Sequence, residues 1–338
     1  MKAVLFEKPH HLTVTRKPLR GIRNDELMID VAACGVCGTD LHIVDGSSRS
    51  SPPVILGHEY AGTITDVGPA VHGYSVGEAV AVDPNISCGS CFYCRRGEVH
   101  LCENLRALGV DVDGGMAESS IVPAGQVYRL PKSLPLEKAV FVEPLSCVVH
   151  GIDRARIRSG DNVVVLGGGT VGLLVLQLAR ISGAARVILV EPLEWKRAIA
   201  AKVGAENVLD PAQTNIVEFV NDTTHVGADV VIECVGKAET VGLAFELVRR
   251  GGTVELFGVC ALGTKIPFEP NAVYFKELTI VGSYVNPHTF DRSIALLAEN
   301  KVMTDHFAIQ RYPLDGVHEA LKSLREGKTI KSLIVPGL

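Results

Sequence analysis

The sequence predicts an α/β protein in two parts, a β-rich domain followed by a doubly wound parallel sheet. Three observations carry that expectation. The 338 residues exceed one average domain. The rhythm of apolar runs changes near Asp161, and a Gly-rich turn follows the first strand after the change. With 47% hydrophobic and 21% charged residues, the composition is that of an ordinary globular chain rather than a disordered one. A formal net charge of −5 gives no electrostatic reason to expect nucleic acid or an anionic membrane as partner.

The opening residues 1–7 form too short an apolar run for a signal peptide and read as a first strand. Up to about Phe141, short apolar runs are broken by Gly and Pro, as at 57–68 and 71–82, which is the pattern of a mostly β domain. From Asp161 onward strands and helices alternate. Strands are expected at 162–166, 186–190, 228–234, 252–257 and 278–284, with helices at 170–181, 195–203 and 238–249. A repeated βα pattern implies a parallel sheet. After Pro287 a helical stretch at 290–300 leads into a β-like tail expected to rejoin the first domain. No run approaches the roughly 18 apolar residues that span a bilayer, so a cytoplasmic location is expected.

Gly167-Gly168-Gly169-Thr170-Val171-Gly172 follows a strand and opens a helix, the context that the dinucleotide fingerprint requires. Gly167 permits the tight turn, Gly169 lets a pyrophosphate approach the backbone, and Gly172 lets the helix pack on the sheet. Glu191 ends the next strand, where an acid accepts from the adenosine ribose hydroxyls and repels a 2′-phosphate. NAD is therefore expected over NADP. Lys196 and Arg197 temper that preference, because a cation there tolerates the phosphate.

Of the 9 cysteines, Cys88, Cys91, Cys94 and Cys102 crowd into one stretch with C-x2-C-x2-C-x7-C spacing. Metal binding explains this better than disulfides do in a chain with no secretory signal. Four thiolates suit a closed, structural zinc site. An iron–sulfur cluster is the rival, but the bacterial run continues with x3-C-P and this one does not. Unliganded thiols are the remaining alternative. A second constellation comprises Cys37-Gly38-Thr39-Asp40-Leu41-His42, Gly57-His58-Glu59 and Glu143-Pro144. Spacing alone is weak evidence there, since a lone His or Glu is more often a surface or satisfied core residue.

Taken together, Gly35-Val36-Cys37-Gly38-Thr39-Asp40, Gly57-His58-Glu59-Tyr60-Ala61-Gly62, the four-cysteine lobe, Glu143-Pro144 and the Gly-rich turn occur in the order found in the zinc-containing medium-chain dehydrogenases. The chain resembles the branch of that family that includes sorbitol, other polyol and threonine dehydrogenases. The resemblance implies a β-rich, GroES-like catalytic domain over 1–146, a Rossmann domain over 147–286 and a return segment over 287–338. It implies Cys37, His58 and Glu59 as ligands of a catalytic zinc, with Glu143 ligating the metal or holding its water. Cys34 has no such counterpart and is expected in the core. Two zinc ions per chain follow, one catalytic and one structural. Val235, Phe257, Gly258, Val259, Ser283 and Tyr284, at the ends of later strands, join Thr170 and Val171 among the expected cofactor contacts. A homodimer or homotetramer is implied.

The chemistry these residues permit is hydride transfer from a secondary alcohol to a nicotinamide. A zinc with an open position lowers the pKa of a bound hydroxyl. Thr39, two residues beyond Cys37, is placed to accept the proton through a hydrogen bond, and the resemblance implies that His42 passes it outward in a relay through the cofactor ribose. For His42, an exposed side chain with no role is the alternative. The stretch from Ser283 to Phe290 looks more like the polyol branch, so a sugar alcohol or cyclic polyol is the expected substrate. Threonine is the runner-up, supported by the Cys37–His42 motif. A zinc- and nucleotide-binding redox sensor is the non-enzymatic alternative, and the complete Cys37, His58, Glu59 and Glu143 set argues against it.

Overall fold

The long strand Glu26–Val36 organises the β-rich half, because it is hydrogen-bonded to Glu59–Val67, Ser119–Pro123 and Lys331–Ile334. In the computed structural model, which describes residues 1–267 and 269–338, the chain forms two compact units. The first comprises Met1–Pro144, Pro287–Asn300 and Phe307–Leu338. Its main sheet has seven strands, with the carboxyl-terminal strand Lys331–Ile334 inserted between Glu26–Val36 and Ile309–Tyr312. Leu27, Ile29, Ile64, Val80 and Leu333 are completely buried in or beside this sheet, each contributing roughly 1.5–3 kcal/mol of hydrophobic stabilisation.

The second unit comprises Leu145–Asn286 and Lys301–His306. Six parallel strands lie in the spatial order Asn207–Leu209, Arg186–Val190, Asn162–Leu166, Ala228–Glu233, Val248–Leu256, Thr279–Gly282. The strand order reverses direction between Asn162–Leu166 and Ala228–Glu233, and dinucleotides bind at such a switch point, beyond the carboxyl ends of the strands. Central strands such as Asn162–Leu166 are continuous Val/Leu runs because helices cover both sheet faces.

Several elements differ from the sequence expectation at their ends. The last strand of this sheet is Thr279–Gly282 rather than 278–284, which leaves Ser283 and Tyr284 just past its carboxyl end. The fifth strand begins earlier, at Val248, because the helix before it stops at Leu247. Residues 301–306, grouped by the sequence reading with the return segment, pack in the second unit. There the buried Gln177 side chain accepts from Met303 N at 2.7 Å and donates to Met303 O at 3.1 Å. A buried amide without such partners would be costly.

Glu255 occupies the strand Val248–Leu256 with its carboxyl fully buried, and neither oxygen has a hydrogen-bond partner among the described residues. It faces the helix Val142–Ala155 at Gly151, where a Cβ would lie 2.6 Å from Oε1, so glycine makes the room. Burial pushes its pKa up to about 8, with Arg154 pulling weakly the other way. The unfolded chain loses this proton above an ordinary 4.5, whereas the folded chain keeps it to about 8. Stability from this group is therefore complete below the lower value and is lost as pH rises toward the upper one. Glu255→Gln should gain on the wild type between pH 5 and pH 8 by on the order of 2–4 kcal/mol in urea titrations. A stability difference independent of pH would refute the assignment.

Candidate active site and metal centres

Cys37 sits one residue past the strand Glu26–Val36 and caps the helix Gly38–Val44. The third helical residue, Asp40, turns back so that Oδ2 accepts from Cys37 N at 2.8 Å. That bond fixes the backbone beneath the thiol, as an acid at this position of a first turn does. The Cys37 Sγ lies 3.7 Å from Thr39 Oγ1. Thr39 and His42 are three residues apart in this helix and share a face. His42 Nδ1 is 3.1 Å from Ser47 Oγ.

A left-handed turn at Gly57, φ +93°, brings the chain to His58. Glu59 then opens the strand Glu59–Val67, in register with Gly35. A Cβ at Gly35 would stand 2.2 Å from Glu59 Oε2, so only glycine lets this carboxylate lie across the neighbouring strand. The ligand atoms of Cys37, His58 and Glu59 lie within 4.8 Å of one another. Glu143, at the start of the helix Val142–Ala155, is outside this trio but near enough to act on His58 electrostatically.

The sequence reading missed Lys331 altogether and gave Asp40 no role. Lys331 Nζ donates to Glu59 Oε2 at 2.5 Å, with both side chains almost wholly buried. Its signal in the sequence is a single cation at the head of the apolar strand Lys331–Ile334, and nothing local says which acid it meets. Asp40, also fully buried, has Oδ1 3.7 Å from His58 Nδ1. At that distance the two atoms are not hydrogen-bonded, and the Asp40 carboxylate acts on the imidazole through its charge.

The electrostatics of this cluster call for positive charge. Burial alone would lower the His58 imidazole, yet Asp40, Cys37 and Glu143 hold its pKa well above the usual value. Burial pushes Glu143 up to about 7, with His58 opposing and Glu59 adding to the rise. One thiol, one imidazole and one carboxylate, with a second carboxylate alongside, form a donor set that suits zinc and leaves a position open. The residues fit the metal.

The four-cysteine lobe has almost no core and is closed at its base by the strand pair Asn85–Ile86 and Arg106–Ala107. The Sγ atoms of Cys88, Cys91, Cys94 and Cys102 lie within 4.8 Å of one another, Cys88 and Cys94 at 4.0 Å. A tetrahedron with zinc–sulfur bonds of about 2.3 Å has edges of roughly 3.8 Å, whereas a disulfide needs about 2.05 Å. Backbone N–H groups of Ser90 and Cys91 lower the Cys88 thiol to about 5, favouring the thiolate. Cys102 Sγ accepts from Cys88 N at 3.2 Å and Asn104 N at 3.4 Å. Cys34, by contrast, is completely buried and stands outside both groups.

In the second unit, Gly167 has φ +104° and a Cβ at Gly172 would sit 1.8 Å from Gly167 O, so both positions require glycine. A Cβ at Gly169 would meet nothing within 4 Å. Gly169 caps the helix Thr170–Ile181, whose positive dipole end therefore faces this open space. Two acids at strand ends hold the surrounding loops. Glu191 accepts from Gly168 N at 2.7 Å and Leu193 N at 2.9 Å. Glu233, which the sequence reading missed, accepts from Val235 N at 2.8 Å, Gly236 N at 2.9 Å and Thr240 Oγ1 at 2.7 Å. Gly258 packs on Val235 N and Gly236 N, and Val259 on Gly236, so these residues form one rim. Phe257 N and Gly258 N also donate to Glu233 O. Val259 and Tyr284 are exposed, and Ser283 Oγ is buried. Lys196 lies over the Trp195 ring at 5.6 Å, away from this rim's hydrogen bonds. The turn and its acid fit a dinucleotide.

Comparison with known proteins agrees with this chemistry. The family model for the alcohol dehydrogenase GroES-like domain matches residues 23–132, and that for zinc-binding dehydrogenase matches residues 170–299. The chain belongs to the zinc-binding, medium-chain dehydrogenases, enzymes that use a nicotinamide cofactor to act on CH–OH groups. It is 35% identical to D-arabinitol dehydrogenase 1 of Uromyces fabae over 99% of this chain and 97% of that one. It is 39% identical to L-threonine 3-dehydrogenase of Pyrococcus abyssi, covering 90% of each chain. A zinc-binding dehydrogenase of Sinorhizobium meliloti 1021, solved bound to NADP, superposes with a TM-score of 0.96 at 40% identity, covering 99% of both chains.

Lys331→Met would leave Glu59 buried and unpaired, at a cost of about 3–5 kcal/mol. In chelator-treated protein, urea unfolding should show that loss, and Glu59→Gln in the same chain should recover most of it. Stability within about 0.5 kcal/mol of wild type for the single variant would sink the assignment.

Proposed function

We propose that this enzyme oxidises a secondary hydroxyl of a sugar alcohol or cyclic polyol to the ketone, with NAD as hydride acceptor. The observation that carries the reading is the mixed Cys37, His58 and Glu59 cluster with the Glu143 carboxylate, not a second thiol, beside it. When bound, zinc supplies Lewis-acid polarisation of a hydroxyl oxygen, and the nicotinamide accepts the hydride. The chain supplies the rest. Lys331 holds Glu59 in place, Asp40 favours positive charge at His58, and Glu143 keeps a carboxyl that exchanges its proton near neutrality. Thr39 takes the hydroxyl proton through a hydrogen bond, and His42, on the same helical face and steadied by Ser47, releases it to water. Secondary alcohol and NAD⁺ thus give ketone, NADH and one proton.

In this reading the unit of 1–144, 287–300 and 307–338 is the catalytic zinc domain, the unit of 145–286 and 301–306 binds the cofactor, and the four cysteines hold a second, structural zinc. NAD is favoured over NADP because Glu191 is buried at the end of its strand and Arg197 is already committed. Arg197 donates to Glu191 O at 2.9 Å and Pro192 O at 2.6 Å, and pairs with Asp210 at 3.1 Å. L-threonine is the second substrate reading, favoured by the extent of identity to the Pyrococcus abyssi enzyme. A homo-oligomer is supported by the edge strand Thr279–Gly282, which among the described residues has no strand on its outer side and whose Ile280 is exposed. A cytoplasmic location is proposed; no helix among the described residues is long and apolar enough to cross a membrane.

A screen of sugar alcohols, inositols and L-threonine with each cofactor, followed by nicotinamide absorbance, should give its highest kcat/KM with a polyol and NAD. Turnover confined to threonine would select the second reading. Cys37→Ser should abolish turnover in a folded protein that keeps one zinc, whereas Cys91→Ser should lower Tm and lose the other zinc. If each variant merely lowered solubility, the division into two sites would fail.

Thr39→Val should remove most activity while zinc content and NAD affinity stay near wild type. His42→Ala should lose roughly 100-fold, in the low range for a positioned acid–base group, with partial rescue by imidazole. Unchanged kcat in Thr39→Val, with a full deuterium isotope effect on hydride transfer, would refute the relay.

A further inference from the structure

A cavity of about 440 Å³ opens at the amino-terminal ends of the parallel strands, where Val230, Thr253 and Thr279 line it. The Gly-rich turn stands at the other ends of these strands, and five residues of the strand Asn162–Leu166 span roughly 15 Å. The cavity is therefore separate from the dinucleotide site. Its volume falls in the range of sites for small metabolites.

Charge distinguishes this cavity. Arg154, Arg156, Arg158 and Arg249 line it, against Asp153, Asp161 and Asp229. Two of the arginines are committed: Arg249 Nε donates to Asp229 Oδ1 at 2.6 Å, and Arg154 Nε to Gly282 O at 2.5 Å. Asp229 also accepts from Asn162 N at 2.7 Å, and Asp161 from the backbone N of Arg158 at 2.7 Å, so these carboxylates are engaged as well. The guanidinium groups of Arg156 and Arg158 make no hydrogen bond or ion pair among the described residues. A helix carboxyl end attracts a cation, but Arg156 takes a left-handed conformation, φ +54°, which disfavours any side chain other than glycine or asparagine. The sequence places an arginine where the backbone favours glycine. Thr253 and Thr279 are paired in register on adjacent strands, and both line the same cavity as these cations.

We infer that this cavity binds the dianionic phosphate group of a small molecule, held by Arg156 and Arg158 with the Thr253 and Thr279 hydroxyls. Planar guanidinium forks match phosphate oxygens two at a time, and hydroxyls complete the oxygen shell. The bound group originates either from free phosphate or from a phosphate monoester.

The test uses zinc-loaded protein saturated with NADH, so that the dinucleotide site is filled. Inorganic phosphate and glycerol 1-phosphate are titrated by calorimetry at constant ionic strength, with chloride as control. Saturable binding of at least one phosphate probe, weakened tenfold or more in Arg158→Ala, is the expected result. Comparable affinity for the two probes identifies free phosphate as the occupant, and tighter binding of the ester identifies a phosphorylated metabolite. Arg156→Gly is the second variant, because glycine suits φ +54° and the fold is kept while the guanidinium is removed; it should weaken binding to a similar degree. No saturable binding of either probe, or binding unaltered in both variants, would overturn the inference.

Discussion

The buried contact between Glu59 and Lys331 is the constraint on which the catalytic half depends. A carboxylate and an ammonium at 2.5 Å, both almost without solvent, each carry a desolvation penalty that the other offsets. Lys331 is 272 residues from Glu59, so the pair forms only when the carboxyl-terminal strand has entered the sheet beside Glu26–Val36. Gly35 is the hinge of this arrangement. It faces Glu59 on one neighbouring strand and Leu333 on the other, and any larger residue would displace the carboxylate. The position of Glu59 is thus set by the closure of the sheet.

A parallel logic orders the cofactor half. Acids at the carboxyl ends of the two strands that flank Asn162–Leu166 fold their oxygens back onto loop N–H groups: Glu191 on the Gly-rich turn, Glu233 on the Val235–Gly236 bend. Both loops are short and glycine-bearing, and a carboxylate receiving two or more N–H bonds holds such a loop without a hydrophobic core. Ligand sites at strand ends need that rigidity, since a dinucleotide is recognised largely through backbone geometry.

Much of the site was legible in the sequence because its chemistry is concentrated in short motifs. The four cysteines lie within a 15-residue stretch, and a lobe so small leaves their thiols little choice but to converge. Thr39 and His42 belong to one short helix that Cys37 caps, and the Gly-rich turn is fixed by local steric demands at Gly167 and Gly172. Lys331 was invisible for the opposite reason, since a lone Lys in an apolar strand has many possible partners and its sequence carries no distance information. Asp40 was visible as a motif residue, but its contact with His58 is set by packing between segments 18 residues apart. Glu233 resembled any strand-end acid until its three donors were seen.

By itself the sequence determined the two-part α/β plan, the βα alternation, the glycine turn and the four-cysteine set, because these depend on periodicity and on contacts a few residues apart, whereas the Cys37, His58, Glu59 and Glu143 set was implied only by the family resemblance. Only the tertiary structure decided which buried charges face one another. It brought Cys37, His58 and Glu59 together while leaving Glu143 beside them, gave residues 301–306 to the second unit, and gathered the arginines at the far end of the parallel sheet. Those outcomes rest on burial and long-range register, where a polar group must find a partner or remain uncompensated. Such pairings depend on the folded arrangement of the whole chain.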